Sequence, residues 1–249
     1  RSIVFASFMQ HAWNPEARRF RNFMRFDRTW CEDIGSEDSN GRALWALGHT
    51  AERSPDADLR RWALCWFDDT APALAEMGPP RAVAFTMLGA AAVLRGASSH
   101  ARAEAILDAG GALLQRLVDS ARRPDWAWFE AVLGYDNPRL CQALIEAGHV
   151  RGRHDWIVLG VETLNWIAVR QTSAEGHFRP VGSETFGRSY SQYPFDQQAL
   201  EAQAAIEAAH SAFVATRNRR WIDHAQTAYA WFFGRNDRGL ALADVATGR

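Results

Sequence analysis

The chain contains no lysine, few cysteines and no long apolar run, and each absence excludes a class of protein. All 28 basic residues are arginines, and 29 acidic residues balance them to a net charge of −1. A charge this close to zero gives no electrostatic reason to expect a nucleic acid or an anionic membrane as a partner. Because no run of 18 apolar residues occurs, no membrane span is predicted.

The cysteines and the missing cofactor motifs give no sign of a disulfide, metal or cofactor site. Cys31, Cys65 and Cys141 are an odd number at unrelated spacings, which indicates free thiols in a reducing compartment. The sequence has no CxxC pair, HExxH, GxSxG or phosphate-binding loop, so neither a metal nor a cofactor is predicted. No basic-then-apolar leader opens the chain, and we therefore expect a cytoplasmic protein.

Apolar and aromatic residues are abundant. They make up 47% of the 249 residues and include eleven tryptophans and fourteen phenylalanines, enough for a sizeable core. Apolar side chains recur at helical spacing in successive segments that short turns separate, and no segment alternates convincingly as a strand. We predict an all-α chain of about nine or ten helices stacked as hairpins. One of them is a basic helix from Glu16 to Phe26.

Three stretches place acids or amides beside aromatic residues near the start of a predicted helix. They run from Trp30 to Leu47, from Trp128 to Ile145 and from Pro194 to Ala209. A loop that is both acidic and aromatic is poorly suited to being plain linker. We expect the three loops to line one cleft, joined by the long segment 172–194, because loops of this length are more often functional than idle.

Paired carboxyl groups favour glycoside cleavage, in which one is held protonated while the other activates water or attacks. The candidate catalytic acids are Asp33, Glu130, Asp136 and Asp196. The candidate substrate-binding residues, which are aromatic, acidic, amide and histidine side chains of the same loops, are Trp30, Glu37, Asp38, Trp128, Asn137, His177, Tyr193, Gln197 and Glu201.

Several of these side chains also suit helix capping, which requires no ligand. Asp38, Ser39 or Asn40 could cap the helix that follows the first loop. Asn137, directly before Pro138, is the expected cap of its helix, and Asp196 could cap the next one in the same way. Asp33 lies too far from a helix start to be a cap.

The three stretches, together with Trp231 to Asp237, resemble the six-hairpin glycosidase-like superfamily. More narrowly, they are similar to an uncharacterised bacterial group associated with glycosyltransferase and glycan-processing genes. The resemblance covers nearly the whole chain and rests on the order and spacing of the motifs. It implies a single (α/α)6-toroid-like domain over residues 1–249, whose cleft binds an oligo- or polysaccharide.

Two departures from that group bear on the prediction. Ala131 stands where the group usually carries an acid, and relatives run on past the equivalent of Gly248. The toroid is therefore expected to be incomplete at the carboxyl end. A missing hairpin would expose apolar helix faces and favour a homodimer.

Two other functions stay open beside the glycoside hydrolase. A sugar epimerase or isomerase of the N-acylglucosamine 2-epimerase type would use His177 or His210 as proton shuttles. A non-catalytic glycan-binding protein in polysaccharide synthesis would bind saccharides without turnover.

Overall fold

The protein is described from a computed structural model, in which residues 2–74, 77–97, 99–182 and 196–247 can be described. Within these ranges the ordered elements are nine α-helices and one short two-stranded sheet, which confirms the all-α prediction. The chain divides into two compact units, Arg1–Ala112 and Leu113–Arg249. A single domain over the whole chain stays a prediction.

Unit 1 is built around helix α2. Its elements are α1 Ser2–Ala12, β1 Trp13–Asn14, β2 Arg19–Phe20, α2 Glu37–Arg53, α3 Ala57–Leu74 and α4 Pro80–Gly96. Helix α5, Ala101–Ala121, crosses the boundary between the units. Helix α2 packs against both α3 and α4. Helix α4 is the most buried of the three, with nearly every side chain from Arg81 to Val93 out of solvent.

The predicted basic helix from Glu16 to Phe26 is wrong, because the first part of this segment forms the β1–β2 hairpin. The side chain of Asn14 accepts hydrogen bonds from the backbone N–H groups of Glu16 and Ala17, which shapes the turn. The buried amide of Asn40 bonds both the N–H and the carbonyl of Phe20, at 2.7 and 3.2 Å. These contacts satisfy backbone groups that a helix would otherwise have paired.

Helix α2 begins one turn earlier than predicted. Its cap is Ser36, whose hydroxyl accepts from the backbone N–H of Ser39 at 3.1 Å. The predicted caps Asp38, Ser39 and Asn40 lie inside the helix instead. Asn40 is fully buried, and its amide holds the preceding loop against β2.

Unit 2 consists of two helical hairpins beyond the end of α5. Its helices are α6 Pro138–Arg151, α7 His154–Arg170, α8 Ala199–Thr216 and α9 Arg220–Ala230. Left-handed residues, Gly152 after α6 and Arg217 after α8, end the first helix of each hairpin and allow a tight turn. Helices α6 and α8 pack against each other, so the first turns of both bring their polar side chains together.

None of the helices in the described part of the chain is both long and apolar enough to cross a membrane.

Candidate functional site

The acids of the first motif lie in unit 1. The side chain of Asp33 is 90% exposed, with its carboxylate 4.0 Å from Arg21. Glu37 and Asp38 stand in the first turn of α2, where the helix dipole favours acids, and Glu37 accepts from the backbone N–H of Gly78. Trp30 is half-buried between Phe8, His11 and Arg21, as the ring contacts show.

In unit 2, the carboxylate of Glu201 is enclosed by amide groups. Glu201 is 2% exposed and lies in the first turn of α8. It accepts from the backbone N–H of Asn137 at 3.1 Å, from the Asn137 side chain at 3.3 Å, and from Nε2 of Gln171 at 2.8 Å. This contact ties together the start of α6, the end of α7 and the start of α8.

Asn137 therefore does not cap α6 with its side chain, although it occupies the capping position. Its amide oxygen accepts from Gly134 N and its NH₂ donates to the Gly134 carbonyl, which closes the preceding loop. Asn137 is thus the N-cap residue of α6, as predicted, but Glu201 and the loop take up its amide, so the side chain makes no capping hydrogen bond. Asp196 does not cap α8 either, because that helix begins after Gln198.

A second buried cluster surrounds Arg139, in the first turn of α6. Arg139 is 1% exposed, and its Nε donates to Asp136 at 3.1 Å. Its guanidinium also donates to Gln142 at 2.7 Å and to Glu207 of α8. Asp136 has no exposed surface, so in this arrangement its carboxylate holds Arg139 rather than facing solvent.

The aromatic part of the second motif lies in the interior of unit 2. Trp128 is fully buried and stacks on Trp166, with ring centroids 5.7 Å apart. The indole N–H of Trp126 donates to the Glu130 carbonyl at 2.7 Å. Glu130 itself is half-buried at the edge of this aromatic group.

A third polar cluster surrounds Asp237, which follows α9 in the loop Trp231 to Asp237. His177 Nε2 lies 2.9 Å from its Oδ1, and Arg179 Nε donates to the same oxygen at 2.9 Å. The amide of Gln197 bridges the cluster, since its Nε2 donates to Asp237 Oδ2 at 2.5 Å and its Oε1 accepts from the Trp231 indole at 3.0 Å.

These donors hold Asp237 as a carboxylate. Burial would raise the pKa of Asp237, but hydrogen bonds from Arg179, His177 and Gln197 outweigh it and lower the pKa to about 2. Asp237 is therefore suited to an ionised role, as an electrostatic or positioning group, and not to that of a proton donor near neutral pH.

A cavity of about 220 Å³ opens beside this cluster. Its lining residues are Asp196, Gln197, Trp231, Asn236, Asp237, Arg238, Leu240 and Leu242. Asp196 is exposed and left-handed, with φ 60°. The cavity combines carboxylates and an amide with apolar walls, which is the composition of small-molecule sites.

Two backbone contacts join the Asp237 cluster to the Glu201 cluster. Arg179 N donates to the carbonyl of Gln171 at 2.7 Å, and Glu201 N donates to the carbonyl of Gln198, next to Gln197. Both clusters thus lie at the same end of unit 2. The motif Trp231 to Asp237 is visible in the sequence, but it indicates no role for Asp237, and no motif indicates one for Arg179 or Gln171. Their partners lie about 30 to 60 residues away, so local pattern carries no signal for them.

The remaining predicted residues are Tyr193, His210 and His177. Tyr193 lies outside the described residues. His210 is exposed on α8. His177 is mostly buried, and its Nδ1 lies 2.9 Å from the Ser173 hydroxyl. Within the ranges that the structure describes, no group of three or more His, Cys, Asp or Glu side chains could hold a metal ion.

Comparison with known proteins shows the fold but not a family. No protein-family model matches the chain, and no curated protein matches it in sequence. Among solved structures, it is similar to an unsaturated glucuronyl hydrolase specific for heparin, with a TM-score of 0.63 and 12% sequence identity. The match covers 93% of this chain and 65% of that one.

The fold is an all-α, toroid-like stack of helical hairpins. At 12% identity the likeness shows the fold alone, and the predicted fold class is confirmed at that level. This chain spans about two thirds of the length of the hydrolase that it resembles. The narrower bacterial group and its genomic setting stay predictions.

Proposed function

We propose that the chain is a glycoside hydrolase that acts on an oligo- or polysaccharide through paired carboxyl groups. The likeness to a glucuronyl hydrolase supports a glycosidase-like fold, and a saccharide substrate fits that fold. The observation that carries the proposal is the cavity of unit 2, which is bordered by Asp196, Gln197 and Asp237 and walled by apolar side chains.

Asp196 is the first choice for a catalytic carboxyl group. It is exposed and borders the cavity, so a substrate in that cavity can reach it. Its neighbour Asp237 has four donated or shared hydrogen bonds and a pKa of about 2, which supports a positioning role through Gln197. The second catalytic group is proposed to be Glu130, the half-buried acid beside the aromatic group of unit 2. Asp136 is the weaker candidate of the same unit, because it is fully buried against Arg139.

An epimerase mechanism has less support. A shuttle histidine needs a ring nitrogen that can reach the substrate, whereas both ring nitrogens of His177 have partners in Ser173 and Asp237. His210 is exposed on the body of α8, away from the loops that carry the clusters. A hydrolase is therefore the better supported of the two enzymes.

The test is a product screen of the purified chain. The substrates are unsaturated glucuronyl disaccharides from heparin and α- and β-linked gluco- and manno-oligosaccharides, with reducing ends and ultraviolet absorbance as readouts. Asp196→Asn, Glu130→Gln and Asp33→Asn are compared with Asp119→Asn, an exposed acid on α5. Loss of a general acid or base lowers kcat by about 100-fold or more, and we expect this for Asp196→Asn.

The control variant should keep wild-type turnover. Full activity in Asp196→Asn would remove the proposed site, while turnover lost in Glu130→Gln would identify the second acid. Full activity in Asp33→Asn would exclude that exposed acid of unit 1. Saccharide binding without turnover in the wild-type chain would favour the glycan-binding protein over the enzyme.

A further inference from the structure

Exposed apolar side chains are concentrated at the amino-terminal end of unit 1. In the described residues, seven of the fourteen exposed large apolar side chains lie between residues 3 and 34. They are Ile3, Val4, Phe5, Phe8, Phe23, Phe26 and Ile34. Phe26 has no protection from solvent, and Ile3, Val4 and Phe5 are each about 70% exposed. Such a concentration marks an interaction surface more often than an ordinary exterior.

Phe26 stands at the tip of a hairpin that follows β2. Arg25 N donates to the Thr29 carbonyl at 2.8 Å, and Cys31 N donates to the Phe23 carbonyl at 2.8 Å. Met24 pairs with Trp30 between these two bonds. The backbone is thus tied on both sides of the tip, so the exposed phenylalanine is held by an ordered turn.

Helix α1 and this hairpin meet at Trp30. The rings of Phe8 and His11 lie 5.8 and 5.4 Å from the Trp30 ring, and the Arg21 guanidinium lies 5.8 Å from it. The exposed apolar residues of the helix and of the hairpin therefore belong to one ordered assembly. We call the assembly of α1 and residues 18–31 the amino-terminal surface.

The charge of the amino-terminal surface differs from that of the whole chain. The surface, residues 2–12 and 18–31, contains five arginines, at 18, 19, 21, 25 and 28, and one acid, Asp27, although the whole chain carries −1. Helix α1 contains no acid. The two acids that follow are occupied, since Glu32 accepts from the backbone of Asn22 and Phe23 and Asp33 faces Arg21.

We propose that the amino-terminal surface docks on an anionic lipid bilayer. Aromatic and aliphatic side chains exposed beside arginines are the composition of interfacial membrane-binding elements, in which apolar groups enter the headgroup region and cations attract acidic lipids. A saccharide is the poorer fit, because Ile3 and Val4 offer neither a flat ring nor a hydrogen bond. This local excess of arginines over acids is not apparent from the net charge of the whole chain, which is close to zero.

The experiment is sedimentation of the purified full chain with vesicles of phosphatidylcholine alone or mixed with phosphatidylserine, at low and high salt. The apolar test variant is Phe5→Ser with Phe26→Ser, and its control is Val169→Ser, an apolar residue of α7 that is 65% exposed. The charge variant is Arg18→Gln with Arg28→Gln, and its control is Arg61→Gln, an exposed arginine of α3. Arg25 is left intact because its guanidinium braces the hairpin.

We expect binding to the phosphatidylserine vesicles that salt weakens, and little binding to phosphatidylcholine alone. Each arginine contributes about fivefold in affinity, so the charge variant should bind roughly 25-fold more weakly. The apolar variant should lose binding, and both controls should keep it. Absence of binding to anionic vesicles, or binding that the apolar variant retains, would overturn the proposal. So would a wild-type dimer in light scattering that the apolar variant converts to a monomer, since a second copy would then cover the surface.

Discussion

At the level of single residues, substitution of Glu201 is expected to lower the stability of the fold. Glu201→Ala leaves the backbone N–H of Asn137 and the amide of Gln171 without their acceptor in a buried setting. Each buried donor that loses its partner costs about 1–3 kcal/mol, so we expect the free energy of unfolding to fall by about 3 kcal/mol. Urea unfolding followed by circular dichroism measures this.

The matched control is His210→Ala, an exposed substitution on the same helix, which should change stability by less than about 0.5 kcal/mol. A loss of similar size in both variants would mean that α8 responds to any substitution. In that case the hydrogen bonds that enclose Glu201 would not be the cause of the lost stability.

The lowered pKa of Asp237 predicts that the stability of the fold depends on pH. Its pKa falls from 3.8 to about 2 on folding, so it stabilises the folded state above its unfolded pKa and loses that contribution as the pH drops through about 2. A shift of this size corresponds to about 2 kcal/mol. Asp237→Asn should therefore be less stable than wild type by about that amount at neutral pH.

The difference between wild type and Asp237→Asn should shrink between about pH 4 and pH 2 in urea unfolding. Asp58→Asn, which removes an exposed acid of α3, is the control and should change stability by less than about 0.5 kcal/mol at neutral pH. A constant difference between wild type and Asp237→Asn across that range would show that the carboxylate is not selectively stabilised.

Residues with a local signal were the predictable part of the candidate site. Acids and amides next to helix starts drew attention to Asn137, Gln197 and Glu201, and all three take part in the clusters of unit 2. Sequence could not assign their partners, because Gln171 and Asp237 reach them only through the tertiary fold. Nor could it separate a buried acid such as Asp136 from an exposed one.

At the level of elements, the long helices could be predicted from the sequence, whereas the β1–β2 hairpin could not. Apolar periodicity, together with proline and capping signals, predicted α3 to α9 to within a few residues. Residues 16–26 carry no comparable stripe. Their hairpin depends on Asn40, twenty residues away, and on the Asn14 turn, neither of which periodicity reveals.

Substitution of the glycines where α2 and α4 cross is expected to lower stability sharply. A Cβ added at Gly48 would lie 2.1 Å from the carbonyl oxygen of Gly89, and one added at Gly89 would lie 2.4 Å from that of Leu44. Backbone atoms cannot give way as a flexible side chain does, so the helices must separate. Gly48→Ala and Gly89→Ala should each cost about 2–3 kcal/mol in chemical unfolding.

Gly96→Ala, at the end of α4, is the matched control. Its added methyl would come no nearer than 3.5 Å to any atom, and alanine favours the helix by up to about 1 kcal/mol. Gly96→Ala should therefore be neutral or slightly stabilising. Equal losses in the three variants would contradict close helix contact as the cause.

At the level of the whole molecule, the likeness to a solved hydrolase shows a fold, and the same fold serves a hydrolase or a binding protein. Ligand-linked stability separates these functions from a protein that binds no saccharide. A ligand that binds only the folded chain stabilises it by about 2.7 kcal/mol at one hundred times its dissociation constant. A saccharide that binds at the proposed site should therefore raise the thermal midpoint of the wild-type chain.

Asp196→Asn should keep this thermal shift while it loses turnover, because removing one charge at the cavity edge need not remove binding. Gln197→Ala should lose the shift, because the amide borders the cavity, and its removal takes one hydrogen bond from Asp237 and the acceptor from the Trp231 indole. Differential scanning fluorimetry over a saccharide series measures both, with Asp119→Asn as the unaffected control. A shift that survives Gln197→Ala would move the saccharide site away from this cavity, whichever reaction the chain performs.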